Sequence, residues 1–514
     1  MSSPTSVGDS FALSRKATGN ALFSFGAFAY SAVLSIVITP LLVHGLGATY
    51  YGIFALSTAA LGFVGMLDLG MGTALVRFLS SALGRGEIAE SRNLIQASVA
   101  FNCIVGAVGF GVMLLLGLVF APTLFDLTGN QLGAARFALL VSGAAFAFGT
   151  VGRAFSAVPL ALQRNGVTAA VGIVFATLGA GTSAAIVTSG LGLRWLVGAY
   201  ALIDVIGLAV SMVVARRILP GLRFSPQWDR ARIRRLITFS GWIFLANISA
   251  FVIFQFDRLM LGALASVSAV TYYAVPSSMA SYLLAATISL AGIIIPAAGD
   301  LIARGELHRV ERLYRRSTRL CLLFVGSVGI PAVFFAHPLL ALWLGHHFAA
   351  KSTTILQILV VTFILFSLTV IPYNMLVAGG FPRIVGVLNL GIAMLNVILI
   401  FVLIPPYGAK GAAVAYLVSI LLFPFFIWFA ERRVLHFSRV QWFSIVWRVL
   451  PPLALQAGVC ALLRPVVGAD AGLAPALLLT LPLPALVYFF TGLIDADERQ
   501  IVRHVLGRRR TASP

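Results

Sequence analysis

About fourteen long apolar stretches alternate along this chain with short polar connections, and this alternation limits the fold more than any other feature. The chain has 514 residues, of which 60% are hydrophobic and 10% are charged, and its mean hydropathy is +1.00. A soluble core of this length cannot bury so much apolar surface. A bilayer can, and a helix crosses it with about 20 apolar residues. The pattern therefore predicts an all-α integral membrane protein with about 14 transmembrane helices.

The apolar runs are continuous, which favours helices over a β-barrel, whose strands alternate in segments of about ten residues. The first run is too long for a signal-peptide core, so we expect it to remain uncleaved. The predicted spans are 20–43, 51–75, 94–120, 137–160, 168–190, 196–215, 236–262, 270–297, 320–344, 353–378, 384–404, 411–430, 446–463 and 474–493.

Positive charge is concentrated in every second connection. Of the 36 Lys and Arg residues, 29 lie in or beside the connections on one side, five lie on the other side, and Arg153 and Arg258 lie within spans. Connections rich in Lys and Arg stay in the cytoplasm, so we expect both termini there. The net charge of +20 is explained by this topology. Nucleic-acid binding is disfavoured, because no basic domain gathers the charges.

The sequence gives little support for catalysis. It contains no G-x-x-x-x-G-K-[ST] motif, no His/Cys cluster with metal-ligand spacing, and no connection long enough for an enzymatic domain. The three cysteines lie within spans and are expected to act as small apolar residues. We therefore expect no catalytic residue, no metal and no cofactor. Coupling of transport to a proton or sodium gradient remains open.

The two halves of the chain resemble each other at offsets of 216–222 residues. Four matches occur in the same order in both halves: Tyr50-Tyr51 with Tyr272-Tyr273, Arg85-Gly86-Glu87 with Arg304-Gly305-Glu306, Ala199-Tyr200 with Ala415-Tyr416, and Arg216-Arg217 with Arg432-Arg433. An even number of spans per copy keeps both copies in one orientation. Spans 1–6 and 7–12 are therefore predicted to be parallel repeats, and transporters often bind substrate between such halves.

These observations predict a domain organisation built on two six-helix lobes. The predicted segments are a cytoplasmic tail at 1–19, a first lobe at 20–215, a basic cytoplasmic connector at 216–235, a second lobe at 236–430, a connector with two further helices at 431–493, and a basic cytoplasmic tail at 494–514.

Charged residues within spans are the candidate functional residues, because such charges are costly in a bilayer and usually face a cavity or a partner. They are Asp68 in span 2, Arg153 in span 4, Asp204 in span 6, and the adjacent Asp257 and Arg258 in span 7. Neighbouring helix residues point about 100° apart. Asp257 and Arg258 therefore cannot both face one partner directly.

Two interpretations remain open for each of these residues. Arg153 and Arg258 either line a cavity or extend to the nearer membrane interface. Asp257 is either a counter-ion or a direct participant. Asp68 lies beside a Gly-rich stretch that allows close helix packing, so it is either structural or part of a cavity. Asp204 is the candidate for coupling to a proton or a sodium ion.

Three short motifs resemble the bacterial polysaccharide transporters, the flippases of O-antigen and exopolysaccharide units. The motifs are Pro40 with Leu46-Gly47 and Tyr51-Gly52-Ile53-Phe54, then Leu67-Asp68-Leu69-Gly70-Met71-Gly72 with Ala74-Leu75 and Arg77, and finally Phe256-Asp257-Arg258 with Leu261-Gly262. The similar layout covers roughly residues 15–430, and the two last spans match the count of fourteen that is usual in the family.

This resemblance implies two six-helix lobes around a central cavity, as in the multidrug and toxin extrusion superfamily. It implies a substrate of undecaprenyl-diphosphate carrying an oligosaccharide, moved from the inner to the outer face of the bacterial cytoplasmic membrane. Arg153 and Arg258, with Asp257 and Asp68, would line the cavity and replace water around the diphosphate or acidic sugars. A polysaccharide polymerase and a chain-length regulator would be its protein partners, beside the membrane lipids.

Other functions compete with this one. A lipid II flippase would have the same number of spans and a cationic cavity, and a multidrug exporter of the same superfamily would commonly carry an Asp in its first span. Span 1 of this chain contains no acidic residue. An O-antigen polymerase or ligase would have a long outer loop, which this sequence lacks. A membrane scaffold would not explain the repeat or the charges within spans.

Overall fold

A computed structural model describes residues 7–125, 127–292, 294–437, 442–467 and 472–490 of the chain. The described residues form helices joined by short turns, with no β-strand among them. Helices satisfy their own backbone hydrogen bonds, which is what a bilayer requires of a spanning segment. Within the described residues, eleven helical segments are long and apolar enough to cross a membrane, and Leu450–Leu463 is a shorter apolar helix. The all-α membrane fold is confirmed, while the count of fourteen spans stays a prediction.

The helices fall into two compact units. The first unit comprises the described part of Met1–Tyr282 together with Arg383–Leu422. Its helices are α1 (Val7–Gly65), α2 (Met71–Gly84), α3 (Ile88–Leu115), α4 (Ala121–Leu124), α5 (Gly129–Ala161), α6 (Asn165–Thr188), α7 (Leu193–Ile218), α8 (Arg230–Phe251), α9 (Asp257–Leu264) and the start of α10 (Val267–Ala291).

The second unit comprises the described part of Leu283–Pro382 and Phe423–Pro514. After α10, its helices are α11 (Ile294–Ala303), α12 (Leu307–Phe334), α13 (Ala336–Leu344), α14 (His346–Ser367) and α15 (Val370–Ala378). The next helix, α16 (Pro382–Ile420), lies almost wholly in the first unit. The second unit continues with α17 (Pro424–Phe429), α18 (Trp442–Trp447), α19 (Leu450–Leu463), α20 (Leu473–Thr480) and α21 (Leu483–Phe490). The lobe boundaries predicted from the repeat stay a prediction, and the predicted tail 494–514 lies outside the described residues.

Two of the long helices change direction at a glycine. In α1 the backbone of Gly47 has φ 78°, and in α16 that of Gly408 has φ 54°. Both values lie in the left-handed region that glycine tolerates without steric cost. These positions coincide with the predicted turns between spans 1 and 2 and between spans 11 and 12. The Leu46-Gly47 motif therefore marks a break within α1 at which the left-handed backbone favours glycine.

Span 2 was predicted as one helix over 51–75, and this is wrong. α1 ends at Gly65, a 3₁₀ turn follows at Met66–Asp68, and α2 begins at Met71. Leu69 and Gly70 are both left-handed, with φ of 51° and 75°. A positive φ at leucine is unusual and costs free energy. The apolar pattern continues through this break, which is why hydropathy alone could not reveal it.

Within the first unit, α1 packs closely on the start of α10. A Cβ atom added to Gly52 would lie 2.1 Å from the carbonyl oxygen of Val267. The hydroxyl of Thr271 donates a hydrogen bond of 2.5 Å to the carbonyl of Ala48. Helices in membranes approach most closely where one carries a small residue. The glycine of the Tyr51-Gly52 motif therefore permits this backbone contact.

Within the second unit, the last two predicted spans attach through buried polar contacts. The side-chain amide of Gln456 on α19 donates to the carbonyls of Ser327 on α12 and Thr480 on α20, each at 2.8 Å. Arg319 on α12 donates to the hydroxyl of Tyr488 on α21 at 3.4 Å. In a low-dielectric interior, such hydrogen bonds fix the register of one helix against its neighbour. Spans 13 and 14 thus belong to the packed body of this unit.

Candidate functional site

Asp257 begins α9 directly after a π-helical turn at Val252–Phe256. Such turns alter helix register and occur frequently at functional sites. The carboxylate is 3% exposed. It accepts hydrogen bonds from the hydroxyl of Tyr273 and, at 2.8 Å, from the backbone N–H of Arg258. Asp257 is therefore held by a tyrosine and the backbone, and not by the guanidinium beside it.

The guanidinium of Arg258 consequently has few partners. Its one hydrogen bond to a side chain is 3.3 Å long and goes to the hydroxyl of Ser278. Its Nε is buried and has no hydrogen-bond partner in the described residues. A buried donor without a partner costs roughly 1–3 kcal/mol. This is the chemistry expected of a group that binds an anion supplied from outside the chain.

Five tyrosines lie near Asp257, Arg258 or one another, and we call them the tyrosine cluster. Its members are Tyr51, Tyr200, Tyr273, Tyr282 and Tyr416. Tyr51 lies within electrostatic range of Arg258, and Tyr200 and Tyr282 lie within range of Tyr51. Tyr200 is bonded to Ser183 at 3.0 Å. The structure gives the hydroxyls of Tyr51 and Tyr282 no partner in the described part of the chain, so both remain available to a ligand.

The sequence analysis did not propose the tyrosine cluster as a site, although the signal was present. Tyr51 is matched with Tyr273 in the predicted repeats, and Tyr200 with Tyr416. The structure brings Tyr51, Tyr273 and Tyr416 near Asp257 or Arg258, and Tyr200 near Tyr51. Matched tyrosines in a repeat could therefore have indicated the site. Charge alone pointed to Asp257 and Arg258 among the five charged residues within spans and gave no reason to include the tyrosines.

Arg153 lies on α5, about two turns before the helix ends at Ala161. It is exposed, and its Nη2 donates to the hydroxyl of Thr150 at 2.8 Å, with the guanidinium 5.6 Å from the ring of Phe146. At about 100° per residue, Arg153 points about 140–180° away from Phe148 and Ala144, which line an apolar surface groove. Arg153 therefore faces away from the apolar surface, on the same side as the buried Thr150.

Asp204 is exposed on α7 and points toward α5 and α6. Gly207 packs on Phe175 of α6, and Ser211 is bonded to Ser156 of α5 at 3.1 Å. The exposed Leu202 and Val205 point about 100–160° away from Asp204. Because Ser211 of α7 is bonded to Ser156 of α5, Asp204 lies roughly one helical turn along the helix axis from Arg153. No ion pair joins the two side chains, both of which the structure describes.

Asp68 closes the 3₁₀ turn in front of α2. Its Oδ2 accepts a bond of 3.4 Å from the backbone N–H of Gly72, while its Oδ1 is buried without a partner in the described residues. A carboxylate at a helix N-terminus is stabilised by the helix dipole. The structure thus gives Asp68 a local structural contact and does not join it to Arg153, Asp204 or Arg258. The roles predicted for all five charged residues stay predictions.

An apolar cavity of about 220 Å³ lies on the other side of α9. It is lined by Leu259, Met260 and Ala263 of this helix and by residues of α1 and α5. Met260 and Ala263 lie about 140–160° round the helix from Arg258. One short helix therefore presents a guanidinium on one side and an apolar cavity on the other. Among the described residues, no cluster of His, Cys, Asp and Glu could hold a metal ion.

Comparisons with known proteins relate this chain to proteins of polysaccharide biosynthesis. Residues 17–301 match the model of the family described as "Polysaccharide biosynthesis protein". A Shigella flexneri protein, provisionally named an O-antigen transporter, is 22% identical over 417 residues, covering 78% of this chain and 94% of that protein. A Haloferax volcanii protein named as a probable low-salt glycan biosynthesis flippase, Agl15, is 24% identical over 455 residues, covering 87% and 89%.

Solved structures share the fold. The lipid II flippase MurJ in an inward closed conformation superposes with a TM-score of 0.73 at 12% identity, covering 92% of this chain and 100% of that one. An inward-facing multidrug resistance MATE family transporter superposes with a TM-score of 0.64 at 15% identity, covering 78% and 94%. At these identities the likeness shows the fold alone.

Proposed function

Because this chain belongs to the polysaccharide biosynthesis protein family, we propose that it is a flippase for lipid-linked oligosaccharides. The substrate is an undecaprenyl-diphosphate carrying an oligosaccharide repeat unit for O-antigen, capsule or exopolysaccharide. Its large, anionic head group crosses a bilayer very slowly without help. Alternating opening of the two lobes moves the head group from the inner to the outer face, while most of the lipid tail stays in the bilayer.

The guanidinium of Arg258 is the observation that supports this proposal most directly. Its neighbour Asp257 is engaged by Tyr273 and by backbone, so the positive charge is left for another anion. The hydroxyls of Tyr51 and Tyr282 add donors that suit phosphate or sugar oxygens. Arg258 can contact a diphosphate bidentately, which lysine cannot.

The two sides of α9 suit an amphipathic substrate. The head group would occupy the side of Arg258, and the apolar cavity beside Leu259 and Met260 would accommodate part of an isoprenoid chain. A chain that handled only soluble sugars would need no apolar cavity at this point. A chain that handled only apolar drugs would need no guanidinium there.

The charge pattern and the fold support the cellular setting that we propose. We place the protein in the bacterial cytoplasmic membrane, with both termini in the cytoplasm. It acts without catalysis of its own, and Asp204 is the residue that would couple transport to a proton or sodium gradient. A polysaccharide polymerase and a chain-length regulator would act on the product at the outer face.

Deletion of the gene tests this function. We expect complete loss of the surface polymer, with undecaprenyl-diphosphate oligosaccharide accumulating on the cytoplasmic side of the membrane. Analysis of lipid-linked sugars by mass spectrometry, with and without the gene restored on a plasmid, measures both results. Unchanged polymer together with new sensitivity to cationic drugs would instead indicate an exporter.

Replacement of Arg153 tests whether its guanidinium contributes to the movement of the head group. We expect Arg153→Ala to lower flipping by about tenfold or more, since a charge-assisted bond contributes roughly 1.5–3 kcal/mol. Protein in the membrane should stay at the wild-type amount, because the side chain is exposed. Polymer yield, normalised to protein, measures the effect. Wild-type yield from Arg153→Ala would remove this residue from the mechanism.

A further inference from the structure

Two arginines at the predicted cytoplasmic ends of α2 and α8 stack on phenylalanines of the opposite helix. The Cζ of Arg77 on α2 lies 4.1 Å from the ring centroid of Phe239, and that of Arg235 on α8 lies 4.5 Å from the ring centroid of Phe78. The two rings meet edge to face at 5.7 Å. We call Arg77 and Arg235 the inner arginine pair. The two helices come from different repeats, so the pair joins the first repeat to the second.

The inner arginine pair has no carboxylate partner among the described residues, unlike the nearby Arg85 and Arg232. Arg232 is paired with Glu90 at 2.7 Å and also with Asp229. Arg235 lies within electrostatic range of Glu87, but both oxygens of Glu87 accept from Arg85, at 2.7 and 2.8 Å. That bond is the main reason why the pKa of Glu87 is lowered.

Stacking leaves the donors of these arginines unused. A guanidinium over an aromatic ring uses its flat face, and its five N–H groups remain around the edge. Neither Arg77 nor Arg235 donates a hydrogen bond to another described residue, and both are exposed. The rings of Phe239 and Phe78 support the planar guanidinium groups of Arg77 and Arg235. A preorganised fork loses less side-chain entropy when it binds a phosphate bidentately.

We propose that the inner arginine pair binds the diphosphate of the lipid-linked substrate at the cytoplasmic face, before the head group reaches Arg153 and Arg258. This inference rests on the proposed function. Two guanidinium groups match the two phosphates of a diphosphate, whereas a phospholipid offers a single phosphodiester. The pair lies where the basic connections meet the anionic inner leaflet, the level at which such a head group is presented.

Binding of farnesyl diphosphate, a soluble polyprenyl diphosphate, tests the proposal. The full chain is placed in phosphatidylcholine nanodiscs and titrated by calorimetry. We expect Arg77→Gln and Arg235→Gln each to weaken binding about tenfold, the lower limit for a charge-assisted bond. Arg234→Gln is the matched control, because it removes the same charge from an adjacent exposed residue that has no ring beneath it. Its affinity should stay within about twofold of the wild type.

A second pair of variants separates binding from folding. Phe78→Leu and Phe239→Leu keep both charges and remove the supporting rings, so we expect a smaller loss of affinity, of about threefold, in protein that is still folded by its unfolding transition. Absence of farnesyl diphosphate binding by the wild type would overturn the proposal. Equal losses in the Arg234→Gln control would do the same, because net charge would then explain the result.

Two further outcomes separate this inference from its alternatives. If phosphatidylglycerol nanodiscs abolish farnesyl diphosphate binding, the pair binds phospholipid and the proposal fails. If gene deletion stops polymer synthesis but the Arg77→Gln and Arg235→Gln variants bind and flip like the wild type, only the inner site fails. If deletion leaves the polymer intact, the proposed function itself fails, whatever the binding data show.

Discussion

Arg258→Ala is expected to reduce flipping by roughly a hundredfold while leaving the amount of folded protein unchanged. The guanidinium makes one long bond, to Ser278, and its Nε has no partner in the described residues. The variant therefore removes little that holds the protein together. Under the proposed function it also removes a bidentate contact to the substrate, for which about 3 kcal/mol is a reasonable magnitude. Polymer yield and in vitro transfer of labelled lipid-linked sugar measure the loss.

Control variants make this result specific. Arg136→Ala removes another half-buried arginine whose Nε also has no partner in the described chain, and it should flip normally. Arg258→Lys keeps the charge but loses the planar fork, so partial activity is expected. Tyr273→Phe frees Asp257 to neutralise Arg258 and should also lower flipping. Normal flipping by Arg258→Ala, with wild-type protein levels, would remove the cationic site from the mechanism.

Gly52→Val is expected to have the largest effect on stability. A Cβ at this position would lie 2.1 Å from the carbonyl oxygen of Val267, which is backbone and cannot rotate away. The contact also lies one turn from the bond between Thr271 and Ala48. Overpacking typically costs about 1–3 kcal/mol, and more when backbone must move. We expect a lower unfolding temperature in detergent and little protein in the membrane.

Gly65→Ala is the matched control for this prediction. Gly65 ends the same helix, and an added Cβ there would meet no atom within 4 Å. Its unfolding temperature should stay close to that of the wild type. If Gly52→Val unfolded at the wild-type temperature and flipped substrate normally, the close contact between α1 and α10 would be unimportant. A milder Gly52→Ala variant should fall between the two.

The amino-acid sequence determined the fold class because the bilayer imposes a simple rule. Each spanning segment needs a continuous apolar run and internally satisfied backbone bonds, and both are visible without tertiary contacts. Turns at Gly47 and Gly408 fell where hydropathy dropped. The charged residues within spans were equally visible, since a charge such as Arg258 stands out against its apolar neighbours. The repeat was readable as matched residue pairs, including Tyr51 with Tyr273.

Tertiary structure decided what these residues contact. The break at Met66–Gly70 was invisible to hydropathy, because apolar residues continue through it. The engagement of Asp257 by Tyr273 depends on how α9 and α10 pack, and the π-helical turn before Asp257 sets its direction. A sequence gives the order of charges along each helix. Which charge stays unpaired depends on neighbours that are distant in the chain, so only packing revealed the open guanidinium of Arg258.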